Sequence, residues 1–266
     1  MTSKLSVSFI FLGVFICHAA PPVVSDVSLA DQIPDLVQTD PKGKFARGGK
    51  SFCGPVAASN SLVWLKTGKK SDDFNFQYSV VNKLASAEYM KVDPVDGIGA
   101  KGLIRGVSRY VEKDIGDSDF VLKYQGWRST PKEHFTGVRD PQIKWIQGFV
   151  GMRKTAWINL GWYSYDAEKD EYVRVGGHWV TVVGYGVDEK GKPNERMIVI
   201  HDPSPRTGAD PNDYVLLSDI KTGTLLRKNG SRYRSASGLL KMGGGMHIKS
   251  SADVALIDGV VGLDLK

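Results

Sequence analysis

The sequence predicts an α+β fold in which N-terminal helices come first and an antiparallel β-sheet follows. Two observations favour this class. Apolar residues recur at helical spacing up to about residue 150, whereas from Thr155 onward short apolar segments alternate with turn-rich ones. Strands that follow one another in this way pair in an antiparallel sheet. No repeat or low-complexity segment interrupts the pattern, which predicts a single domain over residues 51–266.

The first predicted helix covers Gly54–Thr67, and apolar residues lie on nearly all its sides, which is typical of a buried helix. Gly68 directly after it is a stop signal. Two more helices are predicted at about residues 76–90 and 100–113, where apolar residues recur at helical spacing. A fourth is predicted to begin after Asp140–Pro141, an N-cap residue followed by a proline in the first turn.

The predicted strands occupy the second half of the chain. A hairpin is expected around Asn229–Gly230, a dipeptide that favours tight turns, and the last apolar segment, DVALIDGVVGLDL, offers closing strands. Four more strands are predicted, TAWINLGWYS, EYVRV, HWVTVVGYGV and RMIVIHD. Turn-rich segments such as DAEKD and DEKGKPNE lie between them.

Residues 1–19 have the pattern of a secretory signal peptide. Lys4 precedes an apolar run from Leu5 to Cys17, which is too short for an ordinary membrane span, and small residues follow. Cleavage is expected after Ala19, and an uncleaved N-terminal anchor is the alternative. Residues 20–50, rich in proline, glycine and charge, are predicted to be an extended lead-in. We therefore expect a secreted or periplasmic protein without stable membrane insertion.

Composition excludes few functions but argues against nucleic-acid binding. The chain is 41% apolar and 24% charged, as in ordinary globular proteins, and its formal net charge is +6. This small excess, without a stripe of basic and aromatic residues, does not indicate a nucleic-acid partner. No cofactor motif is found, and His178, His201 and Asp202 lack the spacing of a metal site.

Cys53 is the one cysteine that would remain after signal-peptide removal, so it has no partner for an internal disulfide. It directly precedes Gly54–Pro55 at the start of the buried helix, where a proline costs little. The unsatisfied amides and the positive dipole end of a helix favour a thiolate at that place. The sequence therefore favours a nucleophilic cysteine over a buried structural one, which is the alternative.

A thiolate that attacks acyl carbon needs an imidazole nearby, and the imidazole needs an acceptor that fixes its tautomer. His178 opens the apolar strand HWVTVVGYG after two glycines, and Asp202 ends the next apolar strand. Antiparallel neighbours bring the start of one strand beside the end of the next. We therefore expect His178 and Asp202 to lie within reach of each other, with His201 on the opposite face of its strand.

The segments CGPVAASNSLVWL, GGHWVTVVGYG and HDPSP resemble, in this order, the bacteriocin-processing (double-glycine) peptidase-like family of the papain-like cysteine peptidase superfamily. The likeness covers about residues 35–205. It implies a papain-like fold, with Cys53 as nucleophile, His178 as general base and acid, and Asp202 as the residue that orients the imidazole.

One departure from the family concerns the oxyanion donor. Relatives place a glutamine about six residues before the cysteine, where this chain has Arg47. The nearest upstream glutamine is Gln38, in a segment that resembles the family's glutamine-containing one. Either Gln38 returns to the site past a looped-out insertion, or the Cys53 backbone amide serves alone.

These observations predict a secreted thiol hydrolase that cleaves peptide or amide bonds through an acyl-thioester, with a peptide or protein as substrate. One alternative is an acyltransferase that uses the same triad. Another is a catalytically silent binding module, which aromatic residues expected to be exposed at Trp162, Tyr163 and Tyr165 would favour. The oligomeric state is not readable from the sequence.

Overall fold

We describe a computed structural model of the chain, in which residues 25–71, 73–205, 213–246 and 248–266 are described. The predicted signal peptide lies outside these residues. Their α-helices are α1 Cys53–Thr67, α2 Phe74–Ala85, α3 Ala100–Tyr110 and α4 Ile143–Gly148. Their strands are β1 Val27–Ser28, β2 Phe120–Gly126, β3 Lys154–Asp166, β4 Glu171–Val187, β5 Pro193–His201, β6 Asp213–Asp219, β7 Thr224–Leu226, β8 Arg232–Ser235, β9 Leu240–Gly244 and β10 Val254–Leu265.

The centre of the molecule is a closed antiparallel β-barrel. Going around it, β3 pairs with β4, β4 with β5, β5 with β6, β6 with β9, and β9 with β10. β10 then pairs back with β3, which closes the ring of six strands and leaves it without free edges. β2 adds to β10 outside the ring, and β1 and the β7–β8 hairpin add to β4.

The prediction of an α+β, papain-like fold with helices followed by a sheet is wrong. The protein is mostly β, β2 lies between α3 and α4, and the strands close into a barrel instead of forming an open sheet. The physical reason is curvature. The ladders shift register between Trp162 and Tyr163, between Val182 and Gly184, and between Ile257 and Gly259. Such bulges bend and twist long strands, which lets the sheet close on itself.

Individual elements follow the sequence more closely. The predicted helix at 54–67 is α1, which ends at Gly68 with φ of 70°. The helix predicted at 100–113 is α3, continued by a π-helical turn at Val111–Ile115. The hairpin expected around Asn229–Gly230 is formed by β7 and β8. None of the helices in the described part of the chain is long and apolar enough to span a membrane.

Helix α1 is fixed to the barrel by buried hydrogen bonds. The Trp157 indole nitrogen on β3 donates to the Ala57 carbonyl at 3.2 Å and to Ser61 Oγ at 2.9 Å. Thr181 Oγ1 on β4 donates to the same Ala57 carbonyl at 2.6 Å. Each such bond contributes about 1 kcal/mol to stability. Together they hold the start of α1 at a constant position over β3 and β4.

The described part of the lead-in is packed against this domain. β1 pairs with the C-terminal half of β4, and Ile33 and Leu36 are buried. The Leu36 amide donates to Asn60 Oδ1 at 3.2 Å, and the Gln38 amide donates to the Pro203 carbonyl at 2.8 Å. The lead-in therefore connects α1 with the end of β5.

Candidate active site

The start of α1 opens onto a cleft of about 440 Å³ beside strands β3 and β4. Cys53 is the first residue of α1, is half-buried and lines this cleft as a free thiol. His178 on β4 lines it as well, and Asn159 on β3 forms part of its wall. The cysteine predicted as nucleophile and the histidine predicted as base thus share one cavity.

The chain reaches this position because small and aromatic residues surround the helix start. Phe52 precedes Cys53, and its ring stacks on Phe45 with centroids 5.3 Å apart. A Cβ at Gly54 would lie 2.6 Å from Ile98 Cδ1, so only a glycine lets Ile98 pack against the first turn. The amide hydrogens of Cys53 and Gly54 have no acceptor within the helix, as is general for a first turn.

His178 and Asp202 form a buried pair. His178 Nε2 lies 2.6 Å from Asp202 Oδ1, and the residues are 6% and 2% exposed. Ser204 completes the contact, since its amide donates to Asp202 Oδ1 at 2.8 Å and its Oγ lies 3.1 Å from Nε2. The Trp162 ring stacks on the imidazole at 5.9 Å. The imidazole is therefore held in one orientation.

Because Nε2 faces Asp202, Nδ1 is the ring nitrogen left to face Cys53, which lines the same cleft. Burial alone would lower the pKa of His178. The Asp202 carboxylate and, after it, Cys53 outweigh burial and raise this pKa to about 10. Burial raises the pKa of Asp202, but the charge of His178 and the hydrogen bonds from His178 and Ser204 lower it overall. The geometry thus favours an imidazolium between a carboxylate and a sulfur.

Gln38 is buried beside the loop that leads to Cys53. Its Nε2 donates to the carbonyls of Gly49 at 3.0 Å and Lys50 at 3.1 Å. Gln38 does not line the cleft, whereas Lys50 does. Both amide hydrogens are thus engaged by the loop, and the predicted oxyanion role of Gln38 stays a prediction.

His201, expected on the opposite face as a surface residue or as one that supports the site, is 1% exposed, and its Nδ1 lies 3.1 Å from the Pro34 carbonyl. The expectation of exposed aromatic residues is wrong for two of the three. Trp162 and Tyr163 are buried, and of the three aromatic residues expected to be exposed only Tyr165 is. Both faces of this part of β3 are covered, because Trp162 packs in the main core cluster and Tyr163 packs in a second cluster with Leu225 of β7 and Leu239.

Sequence reasoning missed several residues at the site. Ser204 follows Asp202 by two positions, a spacing at which an aspartate caps the backbone amide, and this signal was readable. Asn159 is a polar residue inside an apolar strand, and its Nδ2 donates to the His178 carbonyl at 3.3 Å. Arg174 and Asp258, which form an ion pair under the cleft, are 84 positions apart, and no local pattern joins them.

Neither a family model nor a curated protein was found to match the chain. Membership of the bacteriocin-processing peptidase-like family therefore stays a prediction based on the three motifs. The chemistry has to be argued from the site itself.

Proposed function

We propose that the protein is a secreted thiol hydrolase that cleaves peptide or amide bonds with Cys53, His178 and Asp202. The observation that carries the proposal is the 2.6 Å contact between Asp202 Oδ1 and His178 Nε2, together with the position of His178 and Cys53 in one cleft. A nucleophile, a base within hydrogen-bond reach and a group that orients the base are the parts that acyl transfer requires.

In the first half of the reaction, the Cys53 thiolate attacks the carbonyl carbon and forms a C–S bond. The π electron pair of the carbonyl moves to its oxygen. When this pair returns, the C–N bond breaks, and the nitrogen takes the proton that His178 carries. The products are a free amine and an acyl-thioester on Cys53, with His178 now neutral.

In the second half, water attacks the thioester carbon, and neutral His178 takes a proton from it. Collapse of this intermediate breaks the C–S bond, and the thiolate leaves with its electron pair. A carboxylic acid is released and the thiolate–imidazolium pair is restored. Asp202 keeps its charge throughout, because its role is to hold the ring and stabilise the imidazolium.

The negative oxygen of each intermediate needs a hydrogen-bond donor. The Cys53 amide lies at the start of α1, where it has no acceptor within the helix and where the helix dipole favours negative charge. The side-chain amide of Gln38, by contrast, already donates to two carbonyls. These contacts favour the backbone amide of Cys53 as a donor.

Acyl transfer to an amine uses the same thioester and remains the alternative within the enzymes. The catalytically silent binding module has lost part of its support, because Trp162 and Tyr163 are buried and offer no aromatic surface. Hydrolysis and transfer differ in the acceptor of the acyl group, which is water in the first and an amine in the second. Mass spectrometry of the products formed with and without an added amine identifies this acceptor.

The test is a peptide-library cleavage screen combined with thiol labelling. We expect wild-type protein to cleave, and Cys53→Ala and His178→Ala to lose cleavage by about a thousandfold or more. His134→Ala is the matched control, because His134 is a half-buried histidine that contacts the Leu122 carbonyl and does not line the cleft. Cleavage that survives in Cys53→Ala would contradict the proposal.

A further inference from the structure

The cleft beside Cys53 is strongly basic. Four cationic residues line it against a single acid, Asp96. Among the residues that the structure describes, three of these cations form no ion pair, although the charge of Arg128 also acts on Asp258. The four are Lys50, Arg128, Arg174 and Lys249, of which Arg174 is the paired one.

Arg174 is a fixed part of the cleft floor. Its Nε donates to Asp258 Oδ2 at 3.1 Å, and Asp258 is fully buried. The Tyr163 hydroxyl donates to the other carboxylate oxygen, Oδ1, at 2.6 Å. An arginine held through Nε by a buried acid keeps its two Nη groups in a set direction.

Two glycines make room for this arrangement. Gly161 and Gly177 lie opposite each other in the β3–β4 pairing. A Cβ at Gly161 would lie 2.9 Å from both carboxylate oxygens of Asp258, and a Cβ at Gly177 would lie 2.3 Å from Arg174 Nη2. Arg174 and Gly177 line the same cleft as His178, so the outer end of Arg174 borders the cavity that holds the histidine. In the described chain this outer end has no hydrogen-bond partner.

Arg128 extends the basic surface away from Cys53. It lies over the Trp127 ring, 5.0 Å from the ring centroid, and lines both the cleft and an adjoining hollow. Lys101 and Arg139 also line this hollow, and none of the described residues that line it is acidic. An extended substrate that reaches from Cys53 into the hollow would therefore pass several cations in succession.

We propose that this cleft selects acidic peptides, and that Arg174 and Arg128 bind carboxylates of the substrate close to the bond under attack. The choice of a peptide over a nucleic acid rests on the proposed function, because a thiol nucleophile attacks acyl carbon. The preference for negative charge rests on the cations of the cleft alone. The carboxylate could come from Asp or Glu side chains or from a free C-terminus, and the two sources are separable.

Binding is measured first, by titration calorimetry with Cys53→Ala protein. The probes are eight-residue peptides containing either Glu or Gln at matched positions, each made with an amidated and with a free C-terminus. We expect the Glu peptides to bind at least about tenfold more tightly than the Gln peptides, because each arginine–carboxylate contact is charge-assisted. A preference that follows only the free terminus would assign the carboxylate to the C-terminus. Equal binding of all four peptides would overturn the proposal, as would tighter binding of a single-stranded oligonucleotide.

Variants of the two arginines locate the site. Arg174→Met alone leaves Asp258 buried without its cation and threatens folding, so Arg174→Met is combined with Asp258→Asn. In this double variant and in Arg128→Gln we expect the Glu preference to fall by about tenfold, with unchanged binding of the Gln peptide. Lys190→Gln, an exposed lysine outside the cleft, is the charge-matched control. A Glu preference that survives in both arginine variants would remove these residues from the site.

Cleavage by the wild-type protein distinguishes the two proposals. If acidic peptides are cleaved faster than neutral ones, and the arginine variants raise KM for acidic peptides alone, both proposals are supported. If acidic peptides bind but no peptide is cleaved, the proposed function fails and the preference of the basic cleft for acidic peptides stands. If peptides are cleaved without regard to acidic residues, the hydrolase stands and the substrate inference fails.

Discussion

Replacing Asp202 with asparagine separates the orienting role from the proton-transfer role. The change removes a charge 2.6 Å from His178 Nε2 in a site where both residues are buried. Burial disfavours the charged ring, yet Asp202 and then Cys53 raise the pKa of His178 from its ordinary 6.5 to about 10. This rise corresponds to about 5 kcal/mol in favour of the charged ring. Asp202 is the larger of the two favourable contributions, so Asp202→Asn should lose most of this stabilisation.

The expected result is a change in thiol reactivity at acidic pH. Without the carboxylate, burial keeps the imidazole neutral, and the imidazolium that favours a reactive thiolate at Cys53 is lost. Alkylation of Cys53 by iodoacetamide at about pH 6 should therefore slow by about tenfold or more, and the rates of wild type and variant should converge at alkaline pH. Peptide hydrolysis should fall but stay above that of His178→Ala, because Asp202 transfers no proton.

The control is Asp219→Asn, which makes the same substitution at an exposed carboxylate paired with Arg196. Circular dichroism checks that both variants fold. Coincident pH profiles of alkylation for wild type and Asp202→Asn would refute the reasoning and remove Asp202 from the proposed triad.

Three further predictions concern the support of the site. Gln38→Ala removes the donor to the Gly49 and Lys50 carbonyls, and we expect urea denaturation to show a loss of about 1–3 kcal/mol. An oxyanion donor would instead lower turnover by about a hundredfold and leave the unfolding free energy unchanged. Gly54→Ala places a Cβ 2.6 Å from Ile98 Cδ1, which should cost about 1–3 kcal/mol and slow alkylation of Cys53, whereas Gly148→Ala, with open space around it, should do neither. The stability difference between wild type and Asp202→Asn should be largest at about pH 5–6. The raised pKa of His178 means that its contribution is present below about 6.5 and is lost as pH rises toward about 10. The lowered pKa of Asp202 means that its contribution is present above about 4 and is lost below it. A difference that stays constant in urea titrations from pH 5 to pH 9.5 would contradict this.

The helices that bury one continuous apolar surface were predictable from the sequence. α1 is apolar on nearly all sides and ends at a glycine, so both its burial and its end are encoded locally. α4 was predicted to begin after Asp140–Pro141; it begins at Ile143, with Gln142 instead of Asp140 as its N-cap, and ends at Gly148. Local patterns therefore predict that this helix exists better than where its cap lies.

Closure of the barrel was not predictable in the same way. It requires β10 to return to β3, a pairing between segments about a hundred positions apart, and a register shift at Ile257 and Gly259 to curve the strand. Periodicity shows that a segment is a strand, but it does not show which strands pair at the two ends of a sheet. A helix-then-sheet order and a closed barrel with helices on its outside produce similar apolar patterns.

At the site, the pairing of β4 with β5 brings His178 and Asp202 together, but the expectation that His178 opens a strand is wrong. The predicted strands EYVRV and HWVTVVGYGV form one strand, so His178 lies in the middle of β4. Thr181 pairs with His201 across the β4–β5 ladder, which brings His178 close to the residues just after β5, where Asp202 lies. Two neighbouring antiparallel strands suffice for that inference. The Arg174–Asp258 pair needs three strands, since β3 lies between β4 and β10.

The sequence nonetheless contained a signal for that pair. Asp258 interrupts an apolar strand, and a charge buried in such a strand has to find a cation and further hydrogen bonds. With 35 lysines and arginines in the chain, the charge alone does not identify its partner. Glycines narrow the choice, because a side chain that crosses a strand needs a position without a Cβ. Gly161 on β3 and Gly177 on β4 lie opposite each other, and each leaves space that one member of the pair occupies. Gly161→Ala should therefore weaken the ion pair between Arg174 and Asp258, for which Gly177 also makes room. A crystal structure of this variant in which both side chains have kept their positions would show that Gly161 is not required.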